Sequence, residues 1–392
     1  MANMFNSNTV DLRILKQRAF NLRWATQPEG VIPLTAADPD FPCAPEITDA
    51  ISKYIKDRYL SYGPAKGLPA LRESIAHYYL NKRAFSIDPD YVLPCDSAAF
   101  GIYLVCKAFL KQGDEAIIFD PVDFLFRYSI ESVGATAIPF PIHPIQQTLD
   151  MDLLEQLVSP KCKMICLCNP LNPSGKSFTK SELTLIGDFA EKHNLIILSD
   201  EIWSDIIFTP NAYTSMASMS DTIANRTIIV HGFSKSYGLA GLRIGMLLCS
   251  NPKHFDLLFQ NSLHQSTVHG VNMLSQVAAI SALNDCGYWL DAFVKHLQKM
   301  RDITVSSLNE MPGINCHLPE SCYVAFTNIT QTHKTSEELH RYILDEAKVA
   351  IVPGLKQWFG EGAEGYIRIC FSTSEDILNE AMYRMKTAMY KL

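Results

Sequence analysis

The chain is 392 residues long, 47% apolar and 19% charged, with a formal net charge of -7. That length exceeds what one hydrophobic core usually organises, so a large domain with a smaller companion is expected, and the acidic balance argues against nucleic acid or an anionic membrane as a partner. The eleven cysteines are scattered through apolar runs such as "KMICLC" and "YLVC" without disulfide or zinc spacing, so they read as buried thiols of a reducing, cytoplasmic compartment, with no metal site.

The opening "MANMFNSNTVDLRILKQRAF" has no apolar core of signal-peptide length, and no window approaches a membrane span. Residues 1–35 are expected to form an arm that packs on the smaller domain or on a partner subunit. From about residue 97 the pattern alternates. "AAFGIYLVCKAFL" predicts a helix, "EAIIFD", "ATAIPF" and "CKMICLCNP" predict strands, and "NLIILSDE" and "RTIIVHG" predict two more. Between them, Thr179 and Glu182 in "FTKSEL" make a capping box that opens a helix with Leu183, Ile186 and Ala190 on one face. Strands this continuously apolar fit an α/β fold, a mixed and mostly parallel sheet covered by helices on both faces. Beyond residue 285 come a long helical stretch, short strands and a last helix, so the expected division is a large domain over 36–285 and a smaller α+β domain over 286–392.

Open α/β sheets bind ligands beyond the carboxyl ends of their strands. Asn169, Asn172, Asp200, Ser234 and Lys235 all follow predicted strand ends, which allows them to converge. Each is weak evidence alone: "NPLNPSG" is also an ordinary turn sequence, and an Asp after a strand is usually a turn or cap residue.

Order and spacing together carry more. "NPLNPSG", "LSDEIWSDIIF" and "FSKSYGLAGLRIG", with "ADPDFPCAP", "YGPAKGLPALRESIA" and "YIRICFS", resemble in sequence and order the motifs of the class I/II aminotransferases of pyridoxal-phosphate fold type I. The resemblance implies an aspartate aminotransferase-like large domain and pyridoxal 5'-phosphate as cofactor. It implies Lys235 as the Schiff-base lysine and general base for the Cα proton, and Asp200 facing the pyridine nitrogen. For the phosphate it implies Arg243, Ser234 and the helix start at Ser97, Ala98 and Ala99, together with Tyr62 from the other subunit of a homodimer. It further implies Asn172 on the phenolic oxygen, and Arg368, helped by the backbone at Ala37, on the substrate α-carboxylate.

Four departures surround the cofactor. Trp203 stands where a tyrosine usually bonds the phenolic oxygen, and an indole can replace only part of that role. Asp96 precedes the phosphate cradle and would repel it unless turned away to cap the helix. Gly232 stands where some relatives have a phosphate-binding serine. The ring-stacking aromatic is expected in "DPVDFLFRY", where the simplest register gives Asp123 and Phe124 is the nearest aromatic candidate.

The expected activity is amino transfer between an L-amino acid and a 2-oxo acid. A carbon–sulfur β-lyase of the cystathionine β-lyase type is the alternative, since that subfamily shares "AD-DFP", "SDEI-SD" and "LAGL", although it commonly lacks an arginine at the place of Arg243. A regulator of this fold would carry an N-terminal DNA-binding domain, for which the stretch before "ADPDFP" is short. A nicotinamide-dependent dehydrogenase would need G-x-G-x-x-G after the first strand, and none is present.

Overall fold

Short apolar runs bounded by turn residues make the strands of this chain, and amphipathic stretches between them make its helices. The computed structural model describes residues 4–392. Among them are twelve strands: β1 (Ile32–Pro33), β2 (Val92–Cys95), β3 (Glu115–Asp120), β4 (Thr136–Pro141), β5 (Cys162–Cys168), β6 (Ile196–Asp200), β7 (Thr227–Gly232), β8 (Gly245–Leu248), β9 (Val324–Asn328), β10 (Val349–Ala350), β11 (Val352–Pro353) and β12 (Tyr366–Cys370).

Seven strands form one sheet in the order β2-β8-β7-β6-β5-β3-β4. Neighbours from β4 through β7 are parallel, while β8 is antiparallel to both β7 and β2. The sheet is therefore mixed and mostly parallel, as expected, with the antiparallel pair at one edge. Its central strands are buried on both faces, which is why they lack polar alternation. One apolar cluster takes in both faces of the central strands β3, β5 and β6 and the helices packed on them. A second runs from Ile229 and Met246 to Phe293, Tyr323 and Leu378 in the C-terminal part.

The crossover helices begin where the sequence predicts. Helix Ala98–Phe109 follows β2, and helix Lys180–Lys192 opens on the predicted box, in which Thr179 Oγ1 accepts from Glu182 N–H (3.2 Å) and Glu182 Oε2 accepts from Thr179 N–H (2.8 Å). Leu183, Ile186 and Ala190 are buried on its inner face. Because β3, β5, β6 and β7 run parallel, their carboxyl ends lie along one edge of the sheet.

The C-terminal part holds the antiparallel sheet β11-β12-β9, covered by helices that include Gly287–Asn309, Ser336–Ala347 and Glu375–Met389. The N-terminal segment is tied to it. β1 pairs in parallel with β10, Ile32 against Val349, and Ser7 Oγ donates to the Asp376 carboxylate. Residues 1–3 of the expected arm lie outside the described residues. Two further contacts join the C-terminal part to the bend after β3: Val122 N–H donates to Phe359 O (2.9 Å) and Phe124 N–H to Trp358 O (3.0 Å). No helix of the described residues is long and apolar enough to cross a membrane.

Candidate active site

Lys235 follows β7 by three residues and points its Nζ at the Ala37 carbonyl, to which it donates at 2.7 Å. The same amine lies 5.3 Å from the centroid of the Trp203 ring. Burial is the main influence on it and pushes its pKa below the ordinary lysine value, with Arg368 acting in the same direction and Asp38 and Asp123 opposing. An amine that sheds its proton readily is what a nucleophilic lysine requires.

Asp200 ends β6, the strand beside β7. Its Oδ1 accepts from Ile202 N–H at 3.1 Å, and burial raises its pKa to about 7, with Asp123 and Glu201 adding to the rise. A carboxylate this costly to ionise gains most from a cationic partner. Trp203, three residues on, is buried edge-on against Tyr323 with ring centroids 4.6 Å apart, and Tyr323 donates to the same Ala37 carbonyl (3.3 Å).

Asn172 lies in the turn after β5, closed by Leu171 N–H to Lys176 O (2.8 Å). Gly175 in this turn has φ +73°, and a Cβ there would lie 2.9 Å from the Ser321 carbonyl oxygen, so the turn requires glycine. Asn172 Oδ1 accepts from Arg368 Nη1 (3.1 Å), while its Nδ2 donates to Asp123 Oδ2 (3.0 Å). Arg368, on β12, is 7% exposed. Its Nη2 donates to the Thr35 carbonyl (3.4 Å), its guanidinium lies 5.0 Å from the centroid of the Phe359 ring, and its Nε is buried without a partner. A buried guanidinium with a free donor is a ready site for a carboxylate. A cavity of about 320 Å³ is lined by Asp123 and Phe359, but by none of Arg368, Asn172, Asp200 or Lys235.

The helix Ala98–Phe109 starts next to these strand ends. Gly245 lets its backbone approach: a Cβ there would stand 2.6 Å from Ala98 N and 2.5 Å from Ser97 C, and Gly232 lies against Ala98 and Ile202. Ser97 Oγ caps the helix by accepting from Phe100 N–H (3.0 Å), and the first-turn N–H groups of Ala98 and Ala99 have no intrahelical acceptor. The cap is therefore Ser97, not Asp96, which is exposed.

The predicted residues are not all gathered in this single chain. Lys235, Trp203 and Ala37 are joined by direct contacts, as are Arg368, Asn172 and Asp123, and the two groups and Asp200 act on one another through their charges. Ser234 is partly buried beside Lys235. Arg243 is exposed, with φ +51° and its Nη1 on the Ala240 carbonyl (3.4 Å), and Tyr62 is 86% exposed with its ring against His269. Phe124 requires a correction: it packs edge-on against Trp358, ring centroids 5.7 Å apart, so the side chain that this bend presents to Asn172 is Asp123. Asn169 is consumed by structure, since its amide donates to Thr214 O (3.2 Å) and accepts from Phe178 N–H (3.1 Å). Thr35, Phe359 and Tyr323 were not legible as site residues, because each acts through a backbone carbonyl or a ring face in a segment with no motif.

The model of the aminotransferase class I and II family matches residues 29–385. The chain belongs to the class I and II aminotransferase family. It is similar to an aspartate aminotransferase of Pyrococcus horikoshii, 30% identical over 368 residues and covering 93% of this chain and 92% of that one. Among solved structures it resembles an aromatic aminotransferase from Pyrococcus horikoshii with a TM-score of 0.87 at 29% identity, covering 93% and 97% of the two chains. Cystalysin from Treponema denticola superposes with a TM-score of 0.91 over the whole of both chains, but at 23% identity that likeness shows the fold alone. The protein is thus a pyridoxal-phosphate-dependent aminotransferase, acting on amino and 2-oxo acids. The site fits that cofactor: a deprotonation-prone lysine, a buried carboxylate in want of a cation and a helix N-terminus with unpaired first-turn N–H groups occur together.

Proposed function

We propose that this aminotransferase binds its amino acid by the α-carboxylate at Arg368 and moves the Cα proton with Lys235. The observation that carries the reading is the buried, partly unpaired guanidinium of Arg368, which shares Asn172 with the site that holds Lys235's neighbours. Pyridoxal phosphate would be held by Lys235 at its aldehyde carbon and by Asp200 at its ring nitrogen. Asn172 and Trp203 would lie at its phenolic side, and Ser97, Ala98, Ala99, Ser234 and Arg243 at its phosphate. When bound, it supplies an electron sink conjugated to the substrate's Cα.

The protein's own contributions follow from the geometry. Arg368 orients the substrate so that its Cα faces the amine side of the site. Lys235, kept readily neutral by burial, takes the Cα proton. The Trp203 ring covers one side of the amine, and Tyr323, packed edge-on against Trp203, shares the Ala37 carbonyl on which the amine rests.

Residues 36–285 serve as the cofactor domain and 286–392 as the smaller domain, and the exposed Tyr62 suits a homodimer in which it completes the partner subunit's phosphate site. The cytoplasm is the proposed location, because the cysteines are unpaired and all but Cys43 are buried.

The test is a screen of the twenty amino acids as donors with 2-oxoglutarate, oxaloacetate and pyruvate as acceptors, run beside an assay for thiol and pyruvate release from cysteine conjugates. Amino transfer without thiol release is the expected result. Release without transfer would assign the protein to carbon–sulfur β-elimination instead.

A further inference from the structure

We propose that Asp123 is a positioning residue for substrate binding: its carboxylate fixes which way round the Asn172 amide sits, and through that amide it aims the Arg368 guanidinium. The inference rests on reading Arg368 as the α-carboxylate site.

Three segments far apart in sequence meet here. Asp123 lies in the bend after β3, Asn172 in the turn after β5, and Arg368 on β12 of the other sheet. Asp123 is itself fixed: its N–H donates to the Asn172 carbonyl (3.2 Å) and its Oδ1 accepts from Leu125 N–H (3.2 Å). That leaves Oδ2 to accept from Asn172 Nδ2 at 3.0 Å, while Asn172 Oδ1 accepts from Arg368 Nη1 at 3.1 Å.

A side-chain amide is nearly symmetric in shape and opposite in polarity, so only its partners decide which end faces where. An ionised carboxylate accepts and cannot donate, and a guanidinium donates and cannot accept. With Asp123 on one side and Arg368 on the other, only one orientation avoids setting oxygen against oxygen and N–H against N–H. The chain of hydrogen bonds runs in one direction, from Arg368 through Asn172 to Asp123, and each bond strengthens the next. Arg368 is then pinned at Nη1, with Nη2 on Thr35 O and Phe359 against its guanidinium, and the second N–H of each Nη is left to donate to the substrate carboxylate. Asn172 keeps its second amide hydrogen for the cofactor's phenolic oxygen.

This arrangement also accounts for an acidic residue where the sequence resemblance places an aromatic face. A phenyl ring at position 123 could cover the cofactor but could not accept from Asn172. An alanine there would free the amide to turn, and the guanidinium would lose its fixed anchor.

The test compares holoenzymes carrying Asp123→Ala, Asp123→Asn, Asn172→Ala and the Asp123→Ala/Asn172→Ala double substitution with the wild type. kcat and KM are measured for the best donor of the amino-acid screen, and dissociation constants for succinate and 3-phenylpropionate by calorimetry. Asp123→Ala should raise KM, and the dissociation constant of whichever acid the wild type binds, about tenfold, the low end of what loss of a hydrogen bond to a charged group costs. Its kcat should fall by a smaller factor. Asp123→Asn keeps one acceptor where the carboxylate offers two, to Leu125 N–H and to Asn172 Nδ2, so it should recover only part of the binding, at an effect between wild type and alanine, and being nearly isosteric it also guards against an alanine variant that folds poorly. In the Asn172→Ala background, Asp123→Ala should add less than about a further twofold, because its route to Arg368 is already gone.

An equal tenfold effect with and without Asn172, or unchanged KM in Asp123→Ala, overturns the inference. A wild type that transfers from no amino acid and binds neither acid overturns the functional reading beneath it; transfer without the Asp123–Asn172 coupling overturns this inference alone.

Discussion

Replacing Arg368 by alanine removes the one buried cation that the account assigns to the substrate carboxylate. The side chain is 7% exposed, donates to Asn172 Oδ1 (3.1 Å) and Thr35 O (3.4 Å), and keeps Nε unpaired. A carboxylate bound to it would make two charge-assisted hydrogen bonds, each contributing about 1.5–3 kcal/mol. Their combined loss, about 3–6 kcal/mol, corresponds to a rise in KM of roughly two to four powers of ten. Arg368→Lys keeps a point charge without the fork and should cost less, about tenfold. The cofactor should stay bound, and because Arg368 lowers the pKa of the free Lys235 amine, cofactor uptake by the alanine variant, which needs the neutral amine and is followed by its visible absorbance, should move to higher pH than in the wild type. Steady-state kinetics and an absorbance titration read both effects. A KM within a factor of about two of the wild type, or loss of cofactor with KM unchanged, refutes the reasoning.

Asp200, raised to about 7 by burial, stays protonated in the folded cofactor-free protein over a range where the unfolded chain has already ionised. Its contribution to stability is therefore present at low pH and declines as pH rises from its ordinary value of 3.8 to about 7. Asp200→Asn should remove that decline, so the Tm of the variant relative to wild type should climb across this window; parallel Tm profiles would contradict the assignment of burial as the cause. Gly245→Ala puts a methyl group 2.5 Å from Ser97 C and 2.6 Å from Ala98 N, which must push the start of the helix away from the site. The variant should bind pyridoxal phosphate at least about tenfold more weakly than the wild type, read by equilibrium dialysis, because displaced N–H donors lose their charge-assisted bonds to the phosphate.

The elements that the sequence made legible are those with a local cause. "EAIIFD" became β3 with the same bounds, and the Thr179–Glu182 box starts its helix at Lys180, since periodicity and capping act within a few residues. The antiparallel turn of β8 between β7 and β2 was not legible, because "GMLL" is as apolar as a parallel core strand and carries no mark of direction. In the site, Lys235, Asp200, Asn172 and Arg368 were readable from motifs in which residue type and spacing reflect one ligand. Asp123 was visible only as an unexpected residue at an aromatic position, since its meaning depends on Asn172, forty-nine residues away in sequence. Tyr62 was expected at a surface shared with a partner subunit and is exposed in this chain, whereas the exposed placement of Arg243 could not be read, as it concerns which surface of the chain that side chain occupies.

The central claim is that Lys235 is the residue that holds the cofactor. Borohydride converts an imine into a stable amine, so reduction of the holoenzyme followed by proteolysis and mass spectrometry locates the attachment directly. The account predicts a phosphopyridoxyl group on the peptide containing Lys235 and on no other lysine. Attachment at a different lysine, or a protein that takes up no pyridoxal phosphate before reduction, would contradict it.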